Sequence, residues 1–259
     1  MNIITFSTID VYWLQHLKRF EKLLMIAMPT AKLHVGLIAS GELPSLELPE
    51  LQFLKRHAVR YVPHRHTAGR LLAFDRARAA SLEIFGLSEG LYSDVDVDIL
   101  DDLSPIVSLY PDYRIIAPHE PVDLTELHEF DVVPPGAHQI GFMYLRQYSG
   151  DTRFSQLFDS VAANYSSQLP GMFMPGAYVW NHIMTTHAKT ETLSTHWHST
   201  LNMMPVPFNS AAIHYPTSVQ RLRLYIRYSG KSPSRKIEFV NEPPYIDKFD
   251  GKDTGEEIL

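Results

Sequence analysis

Short apolar runs alternating with amphipathic helical stretches through the first hundred residues set the strongest limit on how this chain can fold. Asn2 to Ser7 is a run built on Ile3, Ile4 and Phe6, and Ser7, Thr8 and Asp10 follow as a strand passing into a helix N-cap would. Leu14, Leu17, Phe20, Leu24 and Met28 then recur at three- and four-residue steps until Pro29 stops the pattern, which predicts a helix with one buried face. Leu33 to Ala39 reads as a second strand and Val59 to Val62 as a third, closed by Pro63. Leu71, Phe74, Ala77, Leu82 and Phe85 share one helical face, and Gly86 stands where that helix would end. Gly90 to Ser93 then runs as a strand into Asp94-Val95-Asp96-Val97-Asp98. Arg114 to Ala117 and Gln139 to Leu145 supply two more strands. This alternation predicts an α/β domain with a largely parallel sheet, in which ligands bind beyond the carboxyl ends of the strands. Ser7, Thr8 and Asp10 after the first strand, and Asp94 to Asp98 after the fourth, would face that rim.

Beyond Asp151 the composition changes. Phe158 to Ala163 can be helical, but the stretch to Pro216 is rich in Met, His, Pro and aromatic residues and is expected to wrap over the rim. From Lys231 the chain is rich in Pro and charge, and its last ten residues read as disordered. A length of 259 residues suits one domain of ordinary size, or one with a small appendage. No run approaches the roughly 18 apolar residues of a membrane span, so the expectation is a cytoplasmic protein without a transmembrane segment.

The chain has no cysteine, so any metal must be held by carboxylates, histidines, carbonyls or water. With 23 Lys+Arg against 29 Asp+Glu, a formal charge of −6 argues against nucleic acid as a partner. Alternation along the strand directs Asp94 and Asp96 to the same side, so the two carboxylates can share one divalent ion at the strand end. A bare D-x-D is more often an acidic surface loop; its place after a strand of an α/β domain, with Tyr92 two residues upstream of Asp94, favours a site. Thr8, Asp10 and Tyr12 follow the first strand and are candidates for nucleotide contact. Helix capping by Thr8 or Asp10 explains that end equally well. His196 and His198 read as packing residues rather than ligands. Tyr178, Trp180 and Trp197 are either core residues or an acceptor wall.

Asp75-Arg76-Ala77-Arg78, followed by a glycine turn and Glu89-Gly90-Leu91-Tyr92-Ser93-Asp94-Val95-Asp96, resembles the D-x-x-R and G-G-x-Y-x-D-x-D pattern of the sugar-binding-region-containing-DXD group of glycosyltransferases. The resemblance implies a GT-A fold, a Rossmann-like mixed sheet flanked by helices. It further implies a hexosyltransferase, dependent on Mn²⁺ or Mg²⁺, that moves a sugar with retention from a UDP- or GDP-sugar to a hydroxyl acceptor in glycan or polysaccharide synthesis. By the same resemblance Asp75 and Arg78 contact the donor sugar and phosphate, and Tyr92 lies near the nucleotide. Asp96 ligates the metal, and Asp94 touches the ribose or the metal through water. On this reading residues 1–230 form one catalytic domain, with 1–100 the nucleotide-sugar half and 101–230 the acceptor half, and 231–259 form a tail.

Ser210-Ala211-Ala212-Ile213-His214-Tyr215-Pro216 is similar to the late H-x-x-G-x-x-K-P-W segment of the glycogenin-like branch, which implies that His214 is a third metal ligand. The chain departs from these patterns in several places. Glu89 replaces the first glycine, and the branch's Lys-Pro-Trp has no counterpart. Gln139-Ile140-Gly141 occupies the place of an N-S-G strand of which only Gly141 remains. The acidic and Gln residues expected near Gly176 to Asn181 are absent apart from Asn181, so no catalytic base can be named. Two rival readings follow: a catalytically silent nucleotide-sugar-binding module, and a phosphohydrolase reading Asp94-Val95-Asp96-Val97 as D-x-D-x-V, a motif that normally sits on the first strand.

Overall fold

β1 (Asn2–Thr8) is followed by α1 (Val11–Ala27), β2 (Lys32–Ala39), β3 (Ala58–Pro63), α2 (Arg70–Ala79), α3 (Ser81–Phe85), β4 (Glu89–Ser93), β5 (Val97–Ile99), α4 (Pro105–Leu109) and β6 (Ile115–Pro118). The second half carries β7 (Phe142–Arg146), α5 (Phe154–Asn164), α6 (Pro175–Thr186), β8 (Thr190–Leu193), β9 (Ser199–Thr200), β10 (Ala212–His214), β11 (Leu224–Arg227) and β12 (Lys236–Phe239). The computed structural model describes residues 1–9, 11–39, 44–63, 70–119, 138–166, 175–200, 210–214, 224–227 and 236–239. Asp10, the segment 201–209 and the tail apart from β12 lie outside the described residues, as does the side chain of Tyr12 on α1.

The main sheet runs β3-β2-β1-β4-β7-β6-β8. Its pairs are parallel except at β7, which is antiparallel to both β4 and β6. The carboxyl ends of β1, β4 and β6 therefore share one rim with the amino end of β7. Both faces of the central strands are covered, which is why β1, β6 and β7 are buried at successive positions rather than alternately. Ile3 packs on one face with Leu17, Phe20 and Leu24 of α1. Ile4 and Phe6 pack on the other with Tyr92, Phe154, Phe158 and Trp180. A smaller sheet, β5-β10-β9, stands beyond the rim, and β11 and β12 form an antiparallel pair that spans the expected boundary at 230.

Three local expectations need correction. The helix expected from Leu71 to Phe85 bends at Ala80 into α2 and α3, although Ala80 N–H still bonds the Arg76 carbonyl (3.0 Å) and Ile84 N–H the Ala80 carbonyl (2.8 Å). Gly86 does close it, with φ at 65°. The stretch beyond Asp151 does not simply wrap the rim: Val179, Trp180, Ile183 and Met184 recur at helical spacing and are buried on α6, and β8 joins the main sheet. The strand expected through Asp98 stops at Ser93, because the chain turns at Val95 and Asp96 before β5 joins the second sheet. No helix among the described residues is long and apolar enough to cross a membrane.

Candidate functional site

Asp94 and Asp96 lie on the turn that leaves β4 for β5. Asp94 N–H extends the β4 ladder by one bond, to the Gly141 carbonyl at 2.7 Å, and Val97 N–H closes the turn on the Asp94 carbonyl at 3.3 Å. Val95 between them is buried in the α1-side core. That anchored valine fixes the turn from which both carboxylates project, so their approach does not come from strand alternation. His214 arrives from far along the chain because β10 pairs antiparallel with β5, setting His214 opposite Val97. Asp94, Asp96 and His214 each offer one ligand atom, all within 4.8 Å of one another. Two oxygens and an imidazole nitrogen suit a divalent cation.

The surroundings fit such an ion. His214 Nε2 lies 3.3 Å from Asp96 Oδ1, and that oxygen is buried without a hydrogen bond. Burial alone would raise the Asp96 carboxyl pKa, but His214, with a smaller contribution from His16, holds it below the ordinary value. Gly141 borders the site: a Cβ there would stand 2.7 Å from Asp94 Oδ2 and 3.1 Å from His214 Cε1. Any larger residue would fill the space between the two candidate ligands.

Arg78 is the organising cation. Its Nη2 lies 2.8 Å from Asp94 Oδ1 and 2.7 Å from Oδ2, its Nε donates to the Tyr92 hydroxyl at 2.9 Å, and its Nη1 bonds Asp75. Tyr92 in turn donates to Asp94 Oδ1. A carboxylate oxygen has two lone pairs. Those of Asp94 Oδ1 are taken by Arg78 and Tyr92, whereas Oδ2 receives only Arg78 among these bonds and keeps one lone pair for a ligand. Burial opposes the Arg78 charge, yet Asp94, Tyr92 and Asp75 together hold its pKa well above the usual value. Burial pushes the Tyr92 hydroxyl well above its ordinary value, so it stays a donor. Asp75, raised by burial to about 6, sits against Gly176 at the start of α6, where a Cβ would lie 1.6 Å from its Oδ2. Thr8 ends β1 on the same rim.

No family model matches the chain, and no curated protein matches it in sequence. Solved structures do match in fold. A galactosyltransferase, LgtC, in complex with donor and acceptor sugar analogs superposes with a TM-score of 0.60 at 12% identity, over 83% of this chain and 87% of that one. Mouse xyloside xylosyltransferase 1 superposes with a TM-score of 0.53 at 13% identity, over 84% of this chain and 99% of that one. The glycosyltransferase GlyE of Streptococcus pneumoniae gives 0.51 at 9% identity, over 75% of this chain and 45% of that one. This chain has the GT-A fold.

Within the GT-A fold the structure also brings residues to the site that sequence reasoning had set aside. Gln139, read only as a lost N-S-G position, lies with its amide nitrogen 2.6 Å from His214 Nδ1. His198, expected to pack, does so: it is buried with its ring 4.6 Å from that of Phe142 and 5.9 Å from that of His214. Trp180 is a core residue, donating from its indole to the Asp75 carbonyl at 3.2 Å. No spacing rule links Gln139 to His214, which are 75 residues apart. The available signal was a polar residue two positions before a required glycine at a strand start.

Proposed function

We propose that this protein is a metal-dependent glycosyltransferase that moves a sugar from a nucleoside diphosphate sugar to a hydroxyl acceptor. The observation that carries the reading is the convergence of Asp94, Asp96 and His214 at the carboxyl rim of a GT-A sheet. Asp96 and His214 would hold Mn²⁺ or Mg²⁺ directly, with Asp94 contributing its remaining Oδ2 lone pair or acting through water. A bound divalent cation supplies Lewis-acid stabilisation of the charge on the departing diphosphate. Arg78 fixes Asp94 in place and keeps positive charge beside the phosphates. Asp75 orients sugar hydroxyls from the α6 side. Thr8, Asp10 and Tyr12 would border the nucleotide, and Tyr92, buried and bonded to Asp94, would lie near it. On the retaining course that the motif resemblance implies, the acceptor proton passes to the departing diphosphate oxygen, so no carboxylate base is needed.

A thermal-shift screen of UDP-, GDP- and CMP-sugars with and without Mn²⁺ tests the donor class. The expected result is stabilisation by one nucleoside diphosphate sugar that requires the cation. Cation-independent response to all three, or to none, counts against the reading. Donor binding without any turnover would instead mark a silent binding module.

A further inference from the structure

Gln139 does not occupy the neighbourhood of His214 by chance of packing. Its own backbone is fixed from two directions: its N–H bonds the Pro118 carbonyl at the end of β6 (2.9 Å), and the preceding His138 is clamped by Asn181 of α6, which accepts from His138 N–H (2.7 Å) and donates to its carbonyl (3.2 Å). From this anchored position the side chain reaches the ring nitrogen of His214 that faces away from Asp96. Gln139 and His214 are both 7% exposed, and Gln139 Oε1 is buried without a hydrogen-bond partner. An unpartnered buried acceptor beside a candidate ligand histidine calls for an explanation.

Rotation of the terminal amide offers two arrangements of the same pair. With the amide nitrogen donating into Nδ1, the neutral ring must carry its proton on Nε2, the atom that faces Asp96, and cannot ligate through it. With Oε1 turned onto Nδ1, the ring carries its proton on Nδ1 and presents the Nε2 lone pair toward Asp96. Only the second is compatible with a cation held at Nε2. A metal-bound histidine generally donates its other N–H to a fixed acceptor, and loss of that acceptor typically weakens metal binding about 10- to 100-fold.

We infer that Gln139 is a positioning residue that sets the His214 tautomer, its amide oxygen accepting Nδ1–H whenever a divalent cation occupies the Asp94, Asp96 and His214 group. The inference rests on the metal reading proposed above. A glutamine can serve both tautomers, as donor before the cation arrives and as acceptor afterwards.

The test is titration of the purified protein with Mn²⁺ alone, followed by electron paramagnetic resonance, for the wild type, Gln139→Leu, Gln139→Glu and Asp96→Asn. The expected result is a 10- to 100-fold weaker Mn²⁺ affinity for Gln139→Leu. Gln139→Glu, which retains an acceptor, should stay within about threefold of wild type. Equal affinities for Gln139→Leu and wild type, or an equal loss in Gln139→Glu, overturn the inference. Asp96→Asn separates the two levels: if it also binds Mn²⁺ normally, the metal reading itself fails. A second readout needs no variant. Histidine nitrogen NMR of the wild type with diamagnetic Mg²⁺ should show His214 protonated at Nδ1, and protonation at Nε2 in the loaded protein overturns the inference.

Discussion

Arg78 grips Asp94 by both carboxylate oxygens, at 2.8 and 2.7 Å, from a position where Arg78 itself is only 9% exposed. The same guanidinium is bonded to Asp75, so one buried cation serves two carboxylates. Removing it leaves the buried Asp75 carboxylate without its cation and leaves Asp94 bonded to the Tyr92 hydroxyl. Arg78→Met is expected to cost about 3–5 kcal/mol of stability at pH 7. The deficit should shrink at pH 5, where the stranded Asp75 carboxyl, already raised by burial, can protonate. Urea denaturation at the two pH values measures this, and a cost below about 1 kcal/mol at pH 7 contradicts the assigned role.

Asp75 gives the protein a specific dependence on pH. Burial raises its pKa from 3.8 to about 6, against the opposing pull of Arg78 and with a further push from Asp94. Between those values the folded chain keeps a proton that the unfolded chain has lost. Its contribution therefore favours folding at low pH and is lost as pH rises through about 6. Asp75→Asn should remove a decline on the order of 2–3 kcal/mol between pH 4 and pH 7. Denaturation midpoints across that range should converge toward a flatter curve for the variant; parallel curves for the two proteins would count against it.

Two glycines make separable predictions. At Gly176 a Cβ would meet the Asp75 carboxylate at 1.6 Å, so Gly176→Ala must displace either α6 or Asp75. A loss of about 2 kcal/mol is expected, seen as a fall of roughly 5 °C in Tm. At Gly141 the obstruction lies between Asp94 and His214 instead. Gly141→Ala is expected to lower Mn²⁺ affinity about tenfold or more, a loss comparable to removing a ligand's supporting partner. Isothermal titration with Mn²⁺ distinguishes the two variants.

The parts of the fold legible in the sequence are those set by local periodicity. Ile3 to Phe6, the α1 stripe from Leu14 to Met28, and Leu33 to Ile38 declare themselves because one face or both faces of a short segment must be buried. Where neighbours far along the chain decide the outcome, the sequence was silent or misleading. Asp94 and Asp96 looked like alternate residues of one strand, but β4 ends when β5 is drawn into pairing with β10, more than a hundred residues later. β7 gives no local sign that it runs antiparallel between two strands that are parallel to each other. The helical stripe of α6 was obscured by Asn181 and His182, which interrupt Val179, Trp180, Ile183 and Met184. Gln139 could not be found by motif because its significance lies in the ring nitrogen it faces, not in its neighbours in sequence.

The most direct measurement is turnover of the nucleotide sugar selected by the thermal-shift screen, in the presence of Mn²⁺, by the wild type and by Asp96→Asn. Because Asp96 lies on the turn between β4 and β5 and asparagine matches it in size and shape, the substitution should leave the fold intact, which circular dichroism can verify. The account predicts cation-dependent sugar transfer or donor hydrolysis by the wild type, abolished by chelation and absent in Asp96→Asn. Unchanged turnover by the folded variant, or by the chelated wild type, would contradict it.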